Sequence, residues 1–223
     1  MNRECIDSNI RKDLACTKSF RTQVEAYVVL MHANQKVILS DKIKNKGEIL
    51  MKTLIVYSSL TGNTRQVAEA VHEVFGQEAD LFPVEQAPTG EGYDLVAVGF
   101  WVDRGTADKK AQEYLAGLRN KQVALFATLG AYPDSEHAAQ SMNNAAALLD
   151  ETNQLAGTFI CQGKVDPRLI EQFKKLPEGH PHGLNAERLA RHQEAAKHPD
   201  SADLAKAKAV FSEIKGKLQG TTV

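Results

Sequence analysis

The chain has 223 residues, 43% hydrophobic and 25% charged, with a formal net charge of −1. That composition is ordinary for a globular domain with room for appendages, and its near-neutral balance argues against nucleic acid or an anionic membrane as partner. Three scattered cysteines, Cys5, Cys16 and Cys161, form no C-x-x-C pair and argue against a disulfide framework or zinc site.

Residues 1–50 differ from the remainder. They hold nine Lys/Arg and six Asp/Glu, a net +3 against −4 in residues 51–223, with no Pro and one Gly. Their single apolar run, residues 26–31, is too short to span a bilayer, and Glu4 and Asp7 stand where a signal peptide would be basic. Residues 28–30 and 36–39 could pair as a hairpin. A simpler expectation is upstream sequence or a dispensable extension. Lys46-Gly47-Glu48 suits a purine-rich ribosome-binding stretch, and Met51 leads straight into the first strand.

From Met51 onward strands and helices alternate, which predicts a parallel sheet covered on both faces. Strands are expected over 52–58, 79–83, 94–100, 122–128 and 158–162; the third is apolar throughout and therefore central. Cys161 in the last one reads as a small buried hydrophobe. Helices are expected over 62–75, 107–118 and 135–150. Beyond the fifth strand come helical stretches over 166–175 and 186–197, the latter with Asn185 as N-cap, separated by a Pro/Gly breaker at 176–183. A last helix over 202–218 carries the stripe Leu204, Ala207, Phe211, Ile214 and Leu218, with Asp200 and Asp203 as capping candidates.

The informative turn joins the first strand to the first helix. Ser58, Ser59, Thr61 and Thr64 supply hydroxyls, and Gly62 lets backbone approach a ligand. A helix N-terminus after such a turn presents free N–H groups and a positive dipole end, which suits a phosphate. No Lys is present for a triphosphate loop, and one Gly is too few for a dinucleotide loop. What remains is a neutral cradle for one terminal phosphate ester.

The run Ile55, Val56, Tyr57, Ser59, Gly62, Thr64, Ala68 and Val71 resembles the N-terminal signature of flavodoxins at every fixed position. The resemblance covers residues 51–162 and the final helix. It implies an α/β, flavodoxin-like, doubly wound five-stranded parallel sheet of order 2-1-3-4-5, here with extra C-terminal helices, and FMN as cofactor. Ser59, Leu60, Thr61, Gly62, Asn63 and Thr64 would then hold the phosphate. In the stretch after strand three, Trp101, Val102, Asp103 and Gly105 would meet the flavin, with Trp101 stacked on the isoalloxazine; a cap on the sheet edge is the other reading of Trp101. After strand four, Thr128, Leu129 and Gly130 would offer backbone amides, and Tyr132 either covers the second ring face or lies on a solvent turn.

Two departures from the family stand out. Many flavodoxins have Gly after the Trp, whose peptide turns toward flavin N5; here it is Val102, which resists positive φ, leaving Gly105 to take it. Arg104 is basic where flavodoxins keep an acidic rim, and a net of −4 is mild for a family that steers onto basic partners. His180, His182, His192 and His198 lack the converging partners of a metal site, and His72 and His137 read as surface helix residues.

The resemblance implies an electron carrier of a bacterial cytosol, working with redox partner proteins, a reductase and an acceptor. The loops and tail look like a flavodoxin-like subfamily of anaerobes that includes the accessory flavodoxin-like protein of bilirubin reductase. An alternative is a flavodoxin-fold reductase acting on a quinone or tetrapyrrole, with helices between residues 163 and 199 walling a substrate pocket. A third is a binding module of the same fold without cofactor, against which the intact phosphate loop argues.

Overall fold

Unbroken apolar strands can be buried only if helices cover both faces of their sheet. A computed structural model describes residues 51–177 and 185–220. The hairpin expected near residues 28–39, Cys5, Cys16, His180 and His182 lie outside those residues. The elements run β1 (Thr53–Tyr57), α1 (Asn63–Phe75), β2 (Ala79–Pro83), β3 (Leu95–Asp103), β4 (Thr106–Ala107), α2 (Lys109–Gly117), β5 (Gln122–Leu129), α3 (Glu136–Ala146), β6 (Gln154–Gln162), α4 (Pro167–Lys174), α5 (Ala186–Ala195) and α6 (Ser201–Gly220).

The main sheet is parallel, in the order β2-β1-β3-β5-β6, with the two-residue β4 paired antiparallel to the end of β3. Without β4 this is the expected 2-1-3-4-5 order, with extra C-terminal helices.

Alternate residues of each strand feed two cores. Ile55, Ala97, Phe126 and Cys161 face α1 and α6, against Val67, Val71, Phe75, Ala207, Phe211 and Ile214. Val56, Val98, Phe100, Leu125 and Ala127 face α2 and α3, against Ala111, Leu115 and Met142. Cys161 is therefore the small core residue expected, and burial pushes its thiol well above the usual range, so it stays protonated. The stripe of α6 closes the first face: Ala207, Phe211 and Ile214 are buried, with Leu204 and Leu218 packed alongside.

Several boundaries differ from expectation, among them the start of α2 at Lys109 rather than 107, because Ala107 belongs to β4. The stretch after residue 100 is not a loop. Aromatic Trp101 and β-branched Val102 continue β3 to Asp103, and the chain returns through Arg104 and Gly105 at φ 50 and 79. Positive φ at both central residues is what a tight two-residue hairpin of right-handed twist requires. β6 starts at Gln154 rather than 158, because an edge strand need not be apolar; Leu155 is exposed and Gln122 Nε2 donates to Gln154 Oε1 at 2.7 Å. Helix α3 stops at Ala146, short of residue 150.

The amino ends of β5 and β6 are tied by one side chain. Asn153 Oδ1 accepts from the Lys121 N–H at 3.1 Å, while Nδ2 donates to the carbonyls of Leu118 at 2.8 Å and Asp150 at 3.2 Å.

Helix α6 packs over Phe126, whose ring meets Phe211 edge-on at a centroid distance of 5.8 Å. The Phe126 ring lies against Gly99, its direct neighbour in register, and a Cβ there would sit 2.1 Å from Cε2. Gly99→Ala is therefore expected to cost about 1–3 kcal/mol through forced repacking. In a Phe126→Leu background the same change should cost less, and paired urea-unfolding curves of the four proteins measure the difference.

Candidate functional site

In an open α/β sheet the strand carboxyl ends and their following loops form the ligand crevice. Here they open on a cavity of about 510 Å³. Of the fourteen positions expected at a cofactor, nine line it: Leu60, Thr61, Asn63, Trp101, Val102, Thr128, Leu129, Gly130 and Tyr132. The other five, Ser59, Gly62, Thr64, Asp103 and Gly105, do not.

Each of those five is placed by a visible cause. Ser59 Oγ turns back to accept from the N–H groups of Gly62 at 3.1 Å and Arg65 at 3.3 Å, so it shapes the turn. Gly62 takes φ 88 as the N-cap of α1 and offers no capping side chain. Among the described residues no acceptor faces the N–H groups of Asn63 and Thr64, so the helix start keeps two free donors. A Cβ on Gly62 would meet open space, which leaves that backbone approachable. The Thr64 hydroxyl is buried and shares a 2.9 Å hydrogen bond with Thr128 Oγ1, so it braces the loop from beneath. Asp103 and Gly105 belong to the β3–β4 hairpin, whose Gly105 carbonyl accepts from Asn144 Nδ2 at 2.8 Å, fixing it to α3. Val102 pairs in strand register with Ala107.

Asn63 links two loops. Its buried carboxamide donates to Thr61 Oγ1 and to the Lys164 carbonyl, each at 2.9 Å. Gly163 makes that approach possible, since a Cβ there would fall 2.9 Å from Asn63 Nδ2. Gly130 plays a similar part on the opposite wall, where a Cβ would lie 2.5 Å from Val165 Cγ2. An anion cradle with free amides, beside an aromatic chamber carrying Trp101 and Tyr132, fits a flat cofactor that ends in one phosphate. FMN has that shape.

Sequence reasoning named the region between residues 163 and 199 as a possible wall but none of its lining residues. Val165, Leu169, Phe173, Arg191 and His192 all line the cavity. The two helical stretches were legible; which of their faces met the cavity was not. Asp108 was also missed. It caps α2, accepts from Ser58 Oγ at 2.8 Å and from the Lys110 N–H at 3.2 Å, and leaves Oδ2 buried without a partner. Burial raises its pKa against those bonds.

The histidines separate into distinct roles. His72 shares a 3.0 Å contact with the Ala79 carbonyl, and exposed His137 lines the cavity rim. His198, Asp200 and Asp203 bring their ligand atoms within 4.8 Å of one another. Hydrogen bonds account for the group: Asp200 and Asp203 each accept the other's N–H, a reciprocal cap at the start of α6, and His198 Nδ1 meets Asp203 Oδ2 at 2.5 Å. The His198 carbonyl accepts from the Lys164 N–H at 3.1 Å, which joins this knot to the cavity wall.

Comparison with known proteins identifies a family. A model of the flavodoxin domain family matches residues 54–212. A flavodoxin-like domain-containing protein BilS from Clostridioides difficile (strain CD3) is 35% identical over 162 residues, 70% of this chain and 92% of its own. BilS from Clostridium symbiosum (strain WAL-14163) is 33% identical over 174 residues, covering 70% and 91%. Among solved structures, oxidised flavodoxin 2 from Bacillus cereus aligns at 19% identity and TM-score 0.49, over 74% of this chain and 99% of that one.

Two outcomes follow from the site's internal bonds. Thr64→Val should destabilise the fold by about 1–3 kcal/mol by orphaning the Thr128 hydroxyl, and Thr64→Val with Thr128→Val should recover most of that loss. Chemical denaturation of both variants checks this. His198 has a raised pKa, chiefly from its hydrogen bond to Asp203. Its contribution to stability is therefore complete below about pH 6.5 and is lost as pH rises through the folded-state value. His198→Gln should flatten that decline in melting temperature above neutrality.

Proposed function

Because the chain belongs to the flavodoxin family, we propose that it binds FMN in this crevice and passes electrons between redox partner proteins, a reductase and an acceptor. The observation that carries the reading is the turn at Gly62, with two free amides at the start of a helix and an aromatic chamber alongside. FMN, when bound, would supply the redox chemistry. The N–H groups of Asn63 and Thr64 would hold its phosphate, Ser59 and Asn63 would keep the loop in shape, and Trp101 and Tyr132 would flank the ring.

The same cavity has an apolar rim. Leu60, Tyr132 and Leu169 line it and are 54%, 43% and 41% exposed, a patch suited to a partner that must approach the ring edge closely. No helix among the described residues is long and apolar enough to cross a membrane.

A second reading has its own support. The cavity continues past the crevice loops to Phe173 of α4 and His192 of α5, which gives room for a small molecule beside a flavin. A flavodoxin-fold reductase acting on a quinone or tetrapyrrole would use that room. NADH or NADPH bleaching the flavin with no partner present would favour it over the carrier.

Flavin titration by fluorescence quenching tests the leading reading. FMN should bind at least about 1–3 kcal/mol more tightly than riboflavin, the cost of leaving the phosphate donors unpaired. Gly62→Val should remove most of that preference, because a β-branched residue resists φ 88 and its side chain would fill the approach. Equal affinity for the two flavins would reject the phosphate cradle.

A further inference from the structure

The outer wall of the cavity holds polar groups that the crevice loops do not use. Arg191 and His192 of α5 both line it, and Arg191 Nε and His192 Nδ1 are buried with no hydrogen-bond partner among the described residues. A guanidinium N–H withdrawn from water and left without an acceptor is costly unless something supplies that acceptor. The neighbouring charges leave the wall electropositive. Lys164 also lines the cavity, while Asp166, the one acidic lining residue among the described residues, is engaged by Arg168 at 2.7 Å. The surroundings are apolar: the His192 ring lies 6.4 Å from that of Phe173 at an angle of 31°, and Val165 and Leu169 complete the wall.

We propose that this wall is a recognition site for the carboxylate of a flat, conjugated organic acid, with Arg191 as its anchor and His192 as a second polar contact. Arg suits the role because its planar fork pairs with a carboxylate. The conjugated body would lie against Phe173, where an aromatic face gives area without much loss of side-chain freedom. Burial, with the charges of Arg191 and Arg188 nearby, holds His192 below its ordinary pKa, so it is a neutral ring before a ligand arrives. An entering anion would offset those charges. The inference deepens the reading of the cavity as a flavin chamber, since it places an acidic small molecule beside the ring, but the wall's own residues carry it.

The test uses the full-length, FMN-loaded protein and calorimetric titration with cinnamate and its uncharged counterpart cinnamide. Cinnamate should bind about tenfold or more tightly than the amide. Arg191→Gln should erase that difference, with FMN affinity unchanged, and Arg191→Lys should restore part of it. Equal binding of acid and amide, or no cinnamate binding, overturns the proposal. So does loss of FMN in step with cinnamate in Arg191→Gln, which would assign Arg191 to the cofactor. If Arg191→Gln fails to fold, the acid–amide comparison on the native chain still decides. Should the protein bind no flavin, the same titration followed by Trp101 fluorescence separates the two failures: a preference for the acid there keeps the wall and rejects the proposed function alone.

Discussion

One side-chain amide holds the crevice together. Asn63 spends both hydrogens of its carboxamide on two different loops, Thr61 in the turn after β1 and the Lys164 carbonyl after β6. Those loops lie about a hundred residues apart in sequence but must meet at one edge of the cavity. Asn63 is buried and its two bonds are half-buried, and loss of the amide would take a partner from the Lys164 carbonyl as well as loosen the turn. The free donors at the start of α1 owe their direction to this pin and to Ser59, which occupies the neighbouring N–H groups. Preorganisation of this kind would let a backbone cradle take an anion without ordering itself first.

The sheet supplies the frame for that pin. Parallel pairing sends every strand's carboxyl end to the same side, so β1, β3, β5 and β6 each deliver a loop to one crevice. Two buried layers keep the strands in register, and the glycines under Phe126, Ile214 and Asn63 mark where a second group lies too near for a Cβ. Hairpin β3–β4 then fixes the far rim. With Asn144 holding the Gly105 carbonyl, the strand end bearing Trp101 is tied to α3.

Much of this was legible in the residues, and the parts that were not share a cause. The alternation of strands and helices follows from apolar runs separated by amphipathic segments, the strand order from the resemblance to flavodoxins, and the turn before α1 from Ser59, Gly62 and Thr64 standing between a strand and a helix. The bracing bond of the Thr64 hydroxyl was not legible, because only packing reveals that Thr128 lies beneath it. Asp103-Arg104-Gly105-Thr106 read as loop, since Arg at a left-handed position is uncommon and hides the hairpin signal that Asn-Gly would have given. Edge strand β6 hid its first residues behind Gln154 and exposed Leu155. The lining of the outer wall depends on how α4 and α5 rotate about their axes, and neither helix carries a strong core stripe: α4 buries no residue fully and α5 only Ala195.

The Asn153 tie has a consequence for how such a chain can change over time. It fastens the amino ends of β5 and β6, while every group facing the cavity sits at the carboxyl ends. Substitutions at well-separated places without shared partners combine additively. Reinforcing the far end, around Leu118, Asp150 and Asn153, would thus raise the chain's tolerance without altering what the crevice holds. That reserve could then be drawn on by riskier substitutions in α4 and α5, so a lineage could reshape the outer wall of the cavity while the turn before α1 stayed as it is.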